Sequence, residues 1–272
     1  MRRFAIWVWS VVAPVLEIAF QAEARVSRAW VASAHHRLML AQWKRQSQPE
    51  FFDHHIDLFY QFLATRNPLW VERGTFGALS IEHGSKILEL ACGDGFNARN
   101  FYSLKAGSVL ACDFDRAAIA TANRKNSAPN VTFVLADIRT AMPEGSFDNV
   151  VWDAAIEHFT PPEIEAIMAS IKSRLHSGGV LSGYTIVEKA DGTKHLHQHE
   201  YEFQGMEDLR RFLTPYFKHV TVFETKYPSR HNLYFWASDG MLPFRKEWSH
   251  AISESDPLDC SPLELSTPSG TG

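Results

Sequence analysis

The 272-residue chain reads as an α/β protein with a mostly parallel sheet. Three observations predict it. Between residues 84 and 184, short apolar runs alternate with helix-length segments, the pattern of βαβ crossovers. The runs Ile87-Leu-Glu-Leu90 and Ser108-Val-Leu-Ala-Cys-Asp113 have the apolar character of strands inside a parallel sheet. The first of them passes directly into a glycine turn, Ala91-Cys-Gly93-Asp-Gly95.

Residues 1–83 are read as a helical extension. Arg2-Arg3 precedes an apolar run, Phe4 to Phe20, broken by Pro14 and Glu17, and Ala22-Glu-Ala24 would pass as a signal-peptidase site. The run is short for a span. If it spans, Arg25, Arg28, Arg37, Lys44 and Arg45 outnumber Arg2 and Arg3 and keep the rest of the chain in the cytoplasm. Trp7, Trp9 and Trp30 among arginines also suit a helix lying on a membrane surface over residues 4–20. A helix packed on its own domain or on a second subunit is the remaining alternative. Phe51-Phe-Asp-His54-His55 and Trp70-Val-Glu72-Arg73-Gly74 lie just upstream of the first strand and read mostly as solvated helix faces.

In the α/β unit, 84–240, Gly93 and Gly95 let the backbone turn sharply and leave room for a ligand. The segment Phe96–Leu104 can form a helix whose first N–H groups face that turn. Glu89 sits inside the first apolar run, where a carboxylate is costly unless something charged or hydrogen-bonding meets it. The second strand ends in Asp113, and Asp115 is a helix N-cap. The third, Val131 to Ile138, carries Asp137 near its end, and the fourth starts at Phe147-Asp148 and closes on Trp152-Asp153. Thr160-Pro-Pro-Glu163 is a capping box with proline in the first turn. Gly178-Gly179 leads into the fifth strand. A His-rich loop, a helix from about Met206 and the strands Val220–Glu224 and Asn232–Ala237 follow, the last two as a closing antiparallel pair. Residues 241–272, dominated by Ser, Pro, Thr and Gly from Ser253 on, read as a disordered tail.

A net charge of −4 and a pI near 6.3 argue against a nucleic-acid binder that relies on phosphate neutralisation. Three cysteines without framework spacing suggest reduced thiols, Cys92 being a small residue packed at the turn.

Two families use such a turn. Gly93, Gly95 and Ala98 satisfy the G-x-G-x-x-G/A of a dinucleotide site, so the glycines alone do not decide. The ordered series does: Glu89 before the turn, Asp113, Asp137, Phe147-Asp148 and Gly178-Gly179. From about residue 84 to 237 the chain resembles the class I S-adenosylmethionine (SAM)-dependent methyltransferases. The resemblance implies a Rossmann-like, seven-stranded, mostly parallel sheet with an antiparallel last strand, helices on both faces, and upstream helices forming a lid over SAM, whose aromatic and Arg residues are candidates to shape acceptor binding.

It also implies roles. Glu89 meets the methionine end of SAM, Ala91, Gly93 and Gly95 form the turn beneath it, and Asp113 with Phe114 flanks the ribose. Asp137 accepts from the adenine amine, and Ile138 offers a backbone N–H. SAM carries an ammonium, a diol and an exocyclic amine, and each wants an acceptor. Export would part the chain from cytosolic SAM, so a cytoplasmic protein is expected, peripheral or anchored at the inner face of the membrane.

For the acceptor side, Asp153-Ala-Ala-Ile lacks the Asn/Asp-Pro-Pro-Tyr/Phe of DNA and protein N-methyltransferases, while Ile-Glu157-His158-Phe resembles small-molecule O-methyltransferases. Asp153 and His158 are the catalytic candidates, His158 as a base near neutral pH, against a purely structural histidine. Tyr184, His199 and Tyr201 are expected to border a hydroxyl acceptor on a small molecule, lipid or glycan. Arg230-His231-Asn232 is a weaker candidate for its rim. His195, His197 and His199 alternate as metal ligands could, but no metal is expected. A nicotinamide (NAD(P)) oxidoreductase, or a non-catalytic SAM-binding protein, are the alternatives.

Overall fold

A computed structural model describes residues 2–45, 68–227 and 230–240. Strands β1 (Lys86–Leu90), β2 (Ser108–Asp113), β3 (Val131–Leu135), β4 (Phe147–Asp153), β5 (Leu175–Ile186), β6 (His219–Tyr227) and β7 (Arg230–Ser238) form one sheet. Their order is β3-β2-β1-β4-β5-β7-β6. β1 pairs with β2 and β4, β2 with β3, and β4 with β5, all parallel. The chain thus winds outward from β1 and then restarts on its other side at β4. Ligands bind at such a reversal, beyond the carboxyl ends of the two strands.

β7 is antiparallel to both of its neighbours, β5 and β6. The closing pair is therefore antiparallel as expected, but the last strand inserts between β5 and β6 and the sheet edge is β6.

Helices cover both faces because β1 alternates. Leu88 and Leu90 pack with Val150 and Trp152 under α5 (Pro161–Arg174) and α6 (Met206–Leu213). Ile87 faces the other way, toward Ala98 and Tyr102, in a cluster that also takes Ile119 of α4 (Arg116–Lys125). Period-2 alternation puts Glu89 on that same second face, above α3 (Phe96–Asn100). The predicted helix 96–104 is shorter because Phe101 leaves it, with a 3-10 turn at Tyr102–Leu104. The Phe101 ring fills the space beside Gly74, where an added Cβ would come within 2.2 Å.

α2 (Leu69–Leu79) holds that glycine and clamps the late strands. Leu69 and Phe76 pack with Tyr184, Tyr234 and Phe223. Glu72 accepts from the hydroxyls of Thr225, Tyr227 and Tyr234, the last at 2.6 Å.

Residues 2–45 of the extension form one helix, α1 (Arg2–Arg45), that continues through Pro14 and past the Ala22–Ala24 stretch. None of its described side chains is buried, and Val15, Ile18, Phe20, Val26 and Trp30 are exposed. Packing on its own domain therefore finds no support along the described length. Among the described residues no helix is long and apolar enough to cross a membrane. The side chains of Trp7 and Trp9, the Phe51–His55 segment and the predicted tail lie outside the described residues.

Candidate active site

The turn after β1 is tightly wound. Ala91, Gly93 and Gly95 all have positive φ, +52°, +56° and +73°. Gly95 carries a second constraint, since a Cβ there would lie 2.4 Å from the Phe133 ring. Ala154, just past β4, also has φ of +52°. Left-handed conformation strains a residue with a side chain, so strain marks the ends of both central strands, on either side of the reversal. Asp94, fully buried, accepts from Phe96 N at 3.1 Å and starts α3.

Glu89 is 2% exposed, and its Oε2 has no hydrogen-bond partner among the described residues. Burial pushes its carboxyl well above the usual range, the negative charges of Asp153, Asp94 and Asp113 push the same way, and Arg73 opposes them. A buried carboxylate without a partner is costly. An ammonium with hydrogen-bonding protons, such as the one on the methionine end of SAM, is what this position lacks, so the residues fit the expected cofactor.

Asp113 is already half engaged. Its Oδ2 accepts from Gly93 N at 2.9 Å and its Oδ1 from Asp115 N at 2.8 Å. These bonds tie the β2 tip to the turn and fix the carboxylate at the end of the strand. Phe114 beside it is half exposed, as is Leu135 at the tip of β3. Asp137 meets Arg139 through the guanidinium, Nη2 at 2.7 Å. That contact holds the Asp137 carboxyl below its ordinary range, and an adenine amine would have to share it. Ile138 is buried.

Asp153 ends β4 and is buried. Its Oδ2 accepts from Arg73 Nε at 2.9 Å and from Asn97 Nδ2 at 2.9 Å. Arg73, on a segment read mostly as solvated faces but with its aromatic and Arg residues as candidates to shape acceptor binding, is 7% exposed, and its guanidinium lies 5.0 Å from the Tyr184 ring centroid. Asp153 raises the Arg73 pKa despite burial. Tyr184 is fully buried, with its hydroxyl donating to Asn232 Oδ1 at 3.2 Å and accepting from Arg230 Nε at 2.9 Å. Arg73, Asn97, Asp153, Tyr184, Arg230 and Asn232 thus form one network joining α2, α3, β4, β5 and β7. Cys92 and Cys112 are buried free thiols whose pKa burial raises, Cys112 to about 12, which suits packing and not nucleophilic attack.

A second constellation lies where the 3-10 turn Ile156–His158 meets the loop after β5. Glu200 N and Tyr201 N donate to Glu157 O at 2.9 and 3.1 Å, so the loop is pinned to the turn. The rings of His158, half-buried, and His199, buried, meet edge to face at 4.8 Å. Glu202 accepts from His199 Nδ1, and Thr185 Oγ1 donates to Glu157 Oε2 at 2.9 Å. Burial lowers the His199 pKa. Of the three alternating histidines, His195 turns to Val187 O at 3.0 Å and His197 is exposed, so only His199 joins the cluster. The Tyr201 hydroxyl is committed to α6, donating to Asp208 at 2.9 Å and accepting from Arg211 at 2.6 Å.

Sequence reasoning missed Arg73, Asn97, Glu157 and Glu202 as members of these networks. For Arg73 a signal existed: Asp153, at the end of an apolar strand, needs a cation to be buried at all.

A family model described as a methyltransferase domain matches residues 87–179. An uncharacterized methyltransferase of Synechocystis sp. is 29% identical over 106 residues, covering 38% of this chain and 48% of that protein. The demethylmenaquinone methyltransferase of Beutenbergia cavernae is 31% identical over 94 residues, covering 34% of this chain and 38% of that protein. The chain thus spans about half, or less, of the curated relatives it matches. Among solved structures, the DhpI–SAH complex superposes with a TM-score of 0.54 at 22% identity, covering 77% of this chain and 95% of that one. The N-methyltransferase NodS from Bradyrhizobium japonicum WM9 gives a TM-score of 0.53 at 18% identity, covering 64% of this chain and 98% of that one. At such identities the superpositions establish the fold.

Proposed function

We propose that this chain, whose residues 87–179 match a methyltransferase domain, moves a methyl group from SAM to a hydroxyl of a small-molecule, lipid or glycan acceptor in the cytoplasm. The observation that carries the proposal is Glu89, a buried carboxylate with an unpartnered oxygen at the end of the central strand. It sits beside a strained turn and among the acids Asp94, Asp113 and Asp153. Bound there, SAM supplies an electrophilic methyl on a sulfonium. Glu89 would hold the ammonium, Asp113 the ribose diol, and Phe114, Asp137 and Ile138 would surround the adenine.

Methyl transfer needs in-line alignment in a dry site. The network of Asp153, Arg73, Asn97 and Tyr184 supports this by fixing α2 and α3 against the strand ends. His158, half-buried in the 3-10 turn Ile156–His158 after β4, would take the hydroxyl proton. The segment Asp153-Ala-Ala-Ile, lacking the Pro-Pro-aromatic pattern, favours oxygen over an amide or ring nitrogen as the acceptor. The NAD(P) alternative has no support from the matched family model, which is a methyltransferase domain.

The test is to incubate the protein with methyl-labelled SAM and fractionated cell extract, and to locate the label on the product by NMR. An O-methyl carbon is expected. A label on nitrogen or carbon refutes the hydroxyl acceptor, and no transfer in any fraction, with no SAM binding, refutes the activity.

A further inference from the structure

We propose that Glu157, His158 and His199 form a binding site for a divalent transition-metal ion, of which Zn²⁺ is the probe. Each of the three offers one ligand atom, and these atoms lie within 4.8 Å of one another. Tetrahedral metal–ligand bonds of about 2.0–2.2 Å set ligand atoms about 3.3–3.6 Å apart, so binding would draw them together by up to about 1.5 Å. Rotation of the half-buried His158 side chain can supply that movement. Two imidazoles and one carboxylate are the donor set of Zn²⁺ and Fe²⁺ sites that keep positions open, and an all-oxygen ion such as Mg²⁺ suits it poorly.

Two further observations point to a cation. The first is the set of contacts behind the ligands. Glu202 accepts from His199 Nδ1, which fixes the ring and leaves Nε2 as the nitrogen with a lone pair. Thr185 Oγ1 donates to Glu157 Oε2 at 2.9 Å and orients that carboxylate. Carboxylate-to-histidine and hydroxyl-to-carboxylate contacts of this kind orient metal ligands. The second is uncompensated charge. Glu157 and Glu202 are both buried, and among the described residues no lysine or arginine side chain bonds to either carboxylate. Glu202 Oε2 is buried with no hydrogen-bond partner among the described residues. Two buried acids thus lie beside His199 with no lysine or arginine bonded to either among the described residues.

The metal site does not depend on the proposed reaction. Its use does: on the hydroxyl-transfer reading, an acceptor oxygen occupies an open metal position. There His158 would be a ligand instead of the base, and the ion would lower the pKa of the bound hydroxyl so that its proton passes to solvent.

Untagged, chelator-treated protein titrated with Zn²⁺ by calorimetry is expected to bind one equivalent and to show a raised melting temperature. His158→Ala and His199→Ala should each weaken binding at least tenfold. Glu202→Gln should weaken it about 10- to 100-fold while leaving the three ligands in place. His197→Ala, which changes an exposed histidine outside the cluster, should match the wild type. Co²⁺ offers a second readout, a visible absorption band present in the wild type and lost in the ligand variants. If His199→Ala does not fold, His158→Gln carries the same test. Absence of Zn²⁺ binding, or binding that the His158 and His199 substitutions leave within twofold of wild type, overturns the site. Because the readout is binding, failure to find a hydroxyl acceptor would leave it standing.

Discussion

Glu89→Gln should make the ligand-free protein more stable and the donor-bound protein weaker, an opposite response that few substitutions produce. Glu89 is 2% exposed, its Oε2 is unpartnered and its pKa is raised mainly by burial. An acid with a raised folded-state pKa favours folding while it is protonated, at pH below its ordinary value of 4.5. That contribution is lost as pH rises through the folded-state value. At neutral pH the wild type therefore bears the cost of either a buried charge or a bound proton, and the amide removes it. A buried polar group left unsatisfied costs about 1–3 kcal/mol, and glutamine keeps part of that cost. A net gain of about 1 kcal/mol is expected, or roughly 2–4 °C in melting temperature for a domain of this size. Against this, the amide cannot make the charge-assisted bond to an ammonium, a loss of about 1.5–3 kcal/mol, or about 10- to 150-fold in Kd. In the wild type the donor's affinity should rise with pH as Glu89 ionises, and in the variant that slope should vanish. Thermal shift at about pH 5 and about pH 8, with calorimetric titration of S-adenosylhomocysteine, reads every arm. A variant that binds as tightly as wild type, or that melts lower without ligand at the higher pH, refutes the assignment.

Other outcomes follow from the same geometry. Arg73→Met leaves the buried Asp153 carboxylate without its cation and should cost about 3–5 kcal/mol in urea unfolding, with Asp153→Asn in the same background recovering part of it. Gly95→Ala meets both a φ of +73° and Phe133 at 2.4 Å, so strain plus overpacking should destabilise by about 2–4 kcal/mol, read as a lowered melting temperature. Asp113→Ala should weaken SAM binding by about 1.5–3 kcal/mol in calorimetry, and unchanged affinity would remove Asp113 from the site. Glu72→Gln weakens three hydroxyl contacts and should loosen α2, seen as faster amide hydrogen exchange there with little change at β1.

The sheet was legible because its signals are local. Apolar runs of strand length, Gly93 and Gly95, the Asp115 cap and the Thr160–Glu163 box each act over a few residues, and each recurs in the fold. The candidate cofactor residues were legible for a related reason: an acid at the end of an apolar strand stands out in the linear chain. What lay hidden was long-range. Arg73 meets Asp153 across 80 residues and Glu72 meets Tyr234 across 162, and nothing in the period of α2 marks which charges turn inward. The His-rich loop misled for the opposite reason. Even spacing of His195, His197 and His199 suggested a shared direction, but the loop is not a strand, and main-chain bonds to Glu157 O set its course. The position of β7 within the sheet was likewise beyond reach, because either order of a closing hairpin satisfies the same alternation.

The most direct test is a crystal structure of the protein with S-adenosylhomocysteine. The account predicts the ligand across the β1–β4 reversal, its ammonium on Glu89 and its ribose hydroxyls on Asp113. Ligand density anywhere else, or in that place with Glu89 still unpartnered, would contradict it.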